Sequence, residues 1–254
     1  MQAPPDMTLD IQGLIDSTPD GGTIDIPYGR YVFKEGLVIK GRKNIIFRCA
    51  PGTRILIEDT NAKVLSIVES YGIRIENAYL RHLKPLEEYV CHGGVISINS
   101  SQDVKVLNCE LNGCGSIGVS GWKSGDVFVR NCFIHHNTFS ALSFSNCKDI
   151  KVKSCVIEEN GNLMNLHKVD DFQMEDNIIR NNGGYWGYHP DSADAQDEIA
   201  ATQAPSFLLA RKKSKFDICD HRKERTPTAI IAKVYKVNEI IIVNISLYLN
   251  QYYG

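Results

Sequence analysis

The chain has 254 residues, with 28 Lys and Arg against 30 Asp and Glu and a net charge of −2. That length suits one large domain or two small ones around a continuous core. The balanced charge excludes a general polyanion binder, nucleic acid included, and no apolar run reaches the length of a membrane span.

The opening MQAPPDMTLDIQGL lacks the basic-then-apolar pattern of a signal peptide. Eight cysteines without CxxC spacing carry no zinc-ribbon or redox motif. Unpaired thiols are compatible with the cytoplasm, so the compartment stays open. TLDIQGLIDS (8–17) places Leu9, Ile11, Leu14 and Ile15 on one face of a helix. Residues 1–21 are therefore predicted to be a capping segment. A Gly-Gly turn at 21–22 follows, and apolar residues then recur with period two, the signature of strands with one buried face.

One heptad-like phrase repeats along this region: DVKVLNC (103–109), DVFVRNC (126–132), DIKVKSC (149–155) and DFQMEDN (171–177). Its anchors Cys109, Cys132, Cys155 and Asn177 lie 23, 23 and 22 residues apart, and GIRIENAYL (72–80) matches 31 residues earlier. Within each copy the alternation slips by one position after Val106, Val129 or Val152, which marks a corner between two short strands. A third strand follows a Gly/Asn-rich turn, as in GSIGVSG (115–121) and FSALSFS (139–145). Three strands per coil of about 22–23 residues predict an all-β, right-handed parallel β-helix, a solenoid over 22–183. Residues 184–227 read as an irregular excursion. NEIIIVNISLYLN (238–250) overlays KDIKVKSCVIEEN (148–160), so 228–254 is predicted to return as a final rung.

The s-x-D-V-x-V-x-N-C-x-I-x-x-N frames, with the opening helix and the P-x-G-x-Y strand, resemble the right-handed parallel β-helix superfamily of pectate lyase-like and NosD-like repeat proteins. The resemblance implies a polysaccharide-binding or polysaccharide-modifying protein, a lyase or hydrolase of acidic glycans among the options. It also implies a secreted or cell-surface setting. The alternative is a non-catalytic NosD-like scaffold for binding or assembly. Enzyme motifs of the fold, such as Gly-His-Gly or Asp-Pro-His-Asp, do not occur, so no catalytic residue transfers by motif.

Stacked rungs turn aligned positions into columns. Asn77, Asn108, Asn131, Ser154, Asp176 and Asn244 form a corner column whose side chains satisfy turn backbone and one another. Cys109, Cys132 and Cys155 fall on the buried phase as small free-thiol fillers. Asp103, Asp126, Asp149 and Asp171 enter successive strands; they read as turn formers accepting local N–H bonds, with Ca²⁺ the alternative. No cofactor or other metal is expected.

The candidate site is the column that does not repeat: Arg81, Asn112, His135, Glu158, Arg180 and Tyr248, beside His82, Gly113, His136, Glu159 and Asn181. His135 and Glu158 are the candidate acid/base pair, with the stacked imidazole expected to be raised and the carboxylate lowered. Arg81, Arg180, His136 and Glu159 are candidate substrate ligands, with Tyr185 and Trp186 in the excursion as stacking platforms for a carbohydrate polymer. The bland alternative is a solvated face of surface ion pairs.

Overall fold

The computed structural model describes residues 3–84, 92–113 and 116–182, together with the backbone of strands Ala229–Val237 and Ile240–Tyr248. From Thr23 to Arg180 the chain winds as a right-handed-type β-solenoid in which every rung-to-rung ladder is parallel. Each turn adds one strand to each of three faces. The first face runs through Thr23–Ile26, Ile46–Cys49, Tyr71–Glu76, Gln102–Leu107 and Gly125–Arg130. The second runs through Arg30–Phe33, Arg54–Ile57, Tyr79–His82, Glu110–Asn112, Phe133–His135 and Val156–Glu158. The third runs through Leu37–Lys40, Leu65–Val68, Ile96–Asn99 and Ile117–Trp122. Two long strands, Ser140–Lys153 and Met164–Arg180, bend round the corners and serve more than one face. Alternation directs Ile73, Val104, Val127 and Ile150 of the first face into one core with Leu80, Leu111, Ile134 and Ile157 of the second.

The corners follow one rule. A residue in the left-handed region is followed by one whose side chain points inward, and where that side chain is polar, as at Cys109, Cys132, Cys155 and Asn177, it bonds a backbone carbonyl. Asn77, Asn108, Asn131, Ser154 and Asp176 hold φ of 59°, 55°, 52°, 54° and 54° at the first corner. Asn and Asp tolerate that region better than other side chains. Asn131 Nδ2 donates to Asn108 Oδ1 and Asn108 Nδ2 to Asn77 Oδ1, both at 3.2 Å, so the expected asparagine ladder is present. Behind it the Cys109, Cys132 and Cys155 thiols each donate to the carbonyl two residues back at 3.3 Å, free and buried.

The aspartate column obeys the same conformational rule: Asp103, Asp126, Asp149 and Asp171 have φ of 51–54°. Their turn role therefore stands on backbone geometry. Asp103 pairs with Lys105 at 2.8 Å and Asp171 accepts from Gln173 at 2.9 Å, so these carboxylates reach neighbouring side chains rather than the expected backbone donors.

The edge of the first rung is closed from two sides. Ile11–Ser17 is helical, capped by Asp10, whose carboxylate accepts from the Gly13 N–H at 2.8 Å, and it buries Ile11 and Ile15. Gln12 bonds both the N–H and the C=O of Val38 (2.9 and 3.0 Å), standing in for a missing strand on the third face. Met7 and Pro5 do the same for Arg30 on the second face. A bare edge would otherwise template aggregation. At the other end, the segment expected to return as a rung runs the opposite way. Ile240–Tyr248 pairs antiparallel with Met164–Arg180, Leu247 opposite Phe172, and Ala229–Val237 pairs antiparallel with it in turn. A matching apolar period shows that a segment is a strand; it does not fix the direction in which the strand is laid on the edge.

Candidate functional site

The second face has an inward column, Leu80, Leu111, Ile134, Ile157 and Ile179, which belongs to the core. Its outward neighbours are the variable residues. Asn112 sits opposite His135, His135 opposite Glu158, and Glu158 opposite Arg180, so the register places the predicted column together. The column is not a solvated stripe. Arg81 and Asn112 are each 1% exposed and His135 4%, whereas Glu158 and Arg180 reach solvent in part.

The buried half is held by its own hydrogen bonds. Tyr79 Oη accepts from Arg81 Nη1 at 3.3 Å and from Asn112 Nδ2 at 3.2 Å, while Arg81 Nε donates to the His82 carbonyl. The Arg54 guanidinium lies 5.2 Å above the Tyr79 ring, a cation–π arrangement. Asn112 Oδ1 is buried with no partner among the described residues. Burial pushes the His82 imidazole below its usual value, with Nε2 2.9 Å from the Ala62 carbonyl oxygen.

The half toward the C-terminal rungs holds the ionisable cluster. His135 stacks on Phe133 with ring centroids 3.8 Å apart. Its Nε2 lies 3.1 Å from Glu110 Oε1, and its Nδ1 lies 2.7 Å from His136 Nδ1. His136 Nε2 in turn lies 2.9 Å from Glu159 Oε2. Glu158 pairs instead with Arg180 Nε. The expected raised imidazole is thus reversed: burial is the largest influence on His135 and pushes it below its usual value, against the opposing pull of Glu110. Glu159 is held below the usual carboxylate range, first by its hydrogen bond to His136. His136, Glu159 and Asn181 occupy left-handed corner positions with φ of 55°, 54° and 53°. Behind this corner lies a buried amide ladder that sequence reading missed: Asn160 Oδ1 accepts from Asn137 Nδ2, and Asn182 Oδ1 from Asn160 Nδ2, both at 2.8 Å.

The corner leads into the third face, whose outward positions are largely polar. One outward column there is Ser66, Ser97, Ser120, Ser143 and Asn165; beside it run Val68, Asn99, Trp122, Ser145 and His167. Ser120 Oγ donates to the Ile96 carbonyl and Asn99 Nδ2 to Ser97 Oγ, which fixes the polar groups in place. Trp122 is 45% exposed, with the Lys123 ammonium 4.3 Å from its ring centroid. Glu110 and Trp122 were both missed in sequence. Each could have been found by aligning every strand of the repeat rather than the one with the strongest motif.

Tyr185 and Trp186, with the whole of the 184–227 excursion and residues 85–91, lie outside the described residues. Among the described residues no three His, Cys, Asp or Glu side chains converge as metal ligands. No helix there is long and apolar enough to cross a membrane.

Comparison with curated proteins found no match. Among solved structures, a candidate glycosyl hydrolase from Parabacteroides merdae aligns over 70% of this chain and 93% of its own, with TM-score 0.56 and 13% identity. The catalytic unit of an α-1,3-glucanase from Streptomyces thermodiastaticus aligns over 64% of this chain and 40% of its own at 14% identity, with TM-score 0.34. A surface adhesin of Streptococcus pneumoniae aligns over 72% and 90% at 9% identity, with TM-score 0.19. At these identities the first of the three shares the fold, and the others carry no weight. The repeat frames, the parallel rungs and the left-handed corners agree with a match to the family described as right handed beta helix region over residues 36–193, more than half of the chain, and the protein belongs to that family.

Proposed function

We propose that the protein binds a polysaccharide chain along its third face and works on it by proton transfer at the His136–Glu159 corner. The observation that carries the reading is Trp122 standing exposed in a sheet face lined by hydroxyl and amide side chains. A pyranose ring presents C–H groups on its faces and hydroxyls around its rim. An indole stacks on the former, and fixed Ser and Asn groups bond the latter. The first face offers instead a lattice of ion pairs, among them Arg48 with Glu76 and Lys153 with Glu175. On the second face Arg81 and Asn112 are already buried and hydrogen bonded. The fold shared with a candidate glycosyl hydrolase is consistent with this reading.

The test is a panel of neutral and uronic-acid polysaccharides, read by affinity electrophoresis, new reducing ends and unsaturated products. Trp122→Ala should weaken binding about tenfold or more, roughly 1.4 kcal/mol. Binding that survives the substitution unchanged places the ligand elsewhere. Binding without any product favours a non-catalytic scaffold, a reading supported by the burial of Arg81 and Asn112 and their hydrogen bonds to Tyr79.

A further inference from the structure

We propose that Glu110 and His135 are positioning residues that hold His136 as an imidazolium against Glu159, the four side chains forming one relay. The inference begins from donors and acceptors. An ionised carboxylate only accepts, so His135 Nε2 must donate to Glu110 and His136 Nε2 must donate to Glu159. The two Nδ1 atoms, 2.7 Å apart, hold one proton between them. Four ring nitrogens therefore carry three protons, one more than two neutral imidazoles. The pair bears a single positive charge between two carboxylates.

Burial decides which ring is charged. His135 is 4% exposed and stacked on Phe133, where an imidazolium is poorly solvated. It stays neutral, with its proton on Nε2 directed at Glu110 and its Nδ1 free to accept. His136 then donates from both nitrogens and is the cation. The charged groups facing His135 are Glu110, Glu158 and His136, and those facing Glu159 are His136, His135 and Arg180. Glu158 is occupied by Arg180, which leaves Glu159 as the partner of the cation.

The relay has a defined use. Glu159, held ionised by its hydrogen bond to His136 at a corner whose side chain is 43% exposed, takes the proton from His136 Nε2 only in passing. It hands the proton on to the leaving oxygen of a glycosidic bond as that C–O bond breaks, while a water adds to the carbon and releases the proton that is later returned. His136 is left neutral, with its Nδ1 proton still bonded to His135, and the carboxylate ends ionised. Water restores the spent proton at the exposed end. Without Glu110, His135 could place its proton on Nδ1 and face His136 as a second donor, and the arrangement would break.

The use on a glycan rests on the function proposed above; the proton count does not. Ring-nitrogen NMR on the full chain labelled at histidine, at pH 7, reads it directly. Three protonated and one unprotonated nitrogen are expected for His135 and His136, with a far-downfield proton between the Nδ1 atoms. Two or four protonated nitrogens overturn the assignment. Glu159→Gln should lose one of the three protons, and a variant that keeps all three places the charge elsewhere and also overturns it. If the three protons are found and no polysaccharide binds, the relay stands and the carbohydrate reading falls. If a polysaccharide is turned over with both rings neutral, the reverse holds.

Discussion

Replacing Asn160 with Ala should destabilise the protein more than any other single amide substitution in the ladders. Asn160 is fully buried and its side chain makes five hydrogen bonds. Nδ2 donates to the Ile134 and Glu158 carbonyls at 3.0 and 2.9 Å and to Asn182 Oδ1 at 2.8 Å. Oδ1 accepts from the backbone and side-chain nitrogens of Asn137 at 3.0 and 2.8 Å. Asn137 Nδ2 keeps its bond to the His135 carbonyl and Asn182 Oδ1 keeps the Asn160 N–H, so not every partner is stranded. The Asn137 N–H and the two carbonyls lose a bond at a site water does not reach. A buried polar group left unmatched costs about 1–3 kcal/mol, so the change should cost about 3–5 kcal/mol. For a domain of this size that is a fall of roughly 10 °C in Tm. The control is Asn131→Gly on the exposed ladder. Its φ of 52° suits glycine and its amide bonds are solvated, so a cost below about 1 kcal/mol is expected. Denaturant titration and thermal melts decide it. Equal losses for the two variants would refute the idea that buried amides, rather than the corner conformation, secure the second face.

The remaining expectations can be checked on the same preparations. Asp126 is needed for its left-handed backbone, so Asp126→Asn should be nearly neutral, Asp126→Val should cost about 1–2 kcal/mol, and calcium should not raise Tm; a calcium-dependent rise that vanishes in Asp126→Asn would restore the metal reading. Because His135 is buried and stacked, His135→Ala should lower Tm, contrary to what a solvent-facing residue would give; an unchanged melt would refute its burial. Burial holds His82 and His135 below the usual imidazole value, so at these two sites the folded state binds fewer protons than the unfolded one. Their contribution to stability should therefore be full above about pH 6.5 and be lost as pH drops through that range, with Glu159 adding a further loss in the carboxylate range. A Tm that is flat from pH 7.5 to about 5 would contradict that sign.

Much of the scaffold was legible from the repeat alone. The phase slip between Val129 and Cys132 marks a corner, and a residue pattern of Asn before Cys at constant spacing leaves only a stacked turn with a buried thiol behind it. Leu9, Ile11, Leu14 and Ile15 likewise specified a capping helix, since local periodicity is what drives that element. The column Arg81, Asn112, His135, Glu158 and Arg180 was also correctly aligned, because parallel rungs fix register by a single period.

Tertiary structure decided the rest. Whether an outward column faces water depends on what packs over it, and Arg81, Asn112 and His135 are buried although their parity points away from the core. Which charge meets which depends on distances across rungs and corners: His135 met Glu110 and His136, and Glu158 met Arg180. Strand direction was equally hidden, for Ile240–Tyr248 has the period of a rung and runs antiparallel to the last one. A sequence period records that a residue is in or out. Only the assembled coil determines its partner, its exposure and its proton.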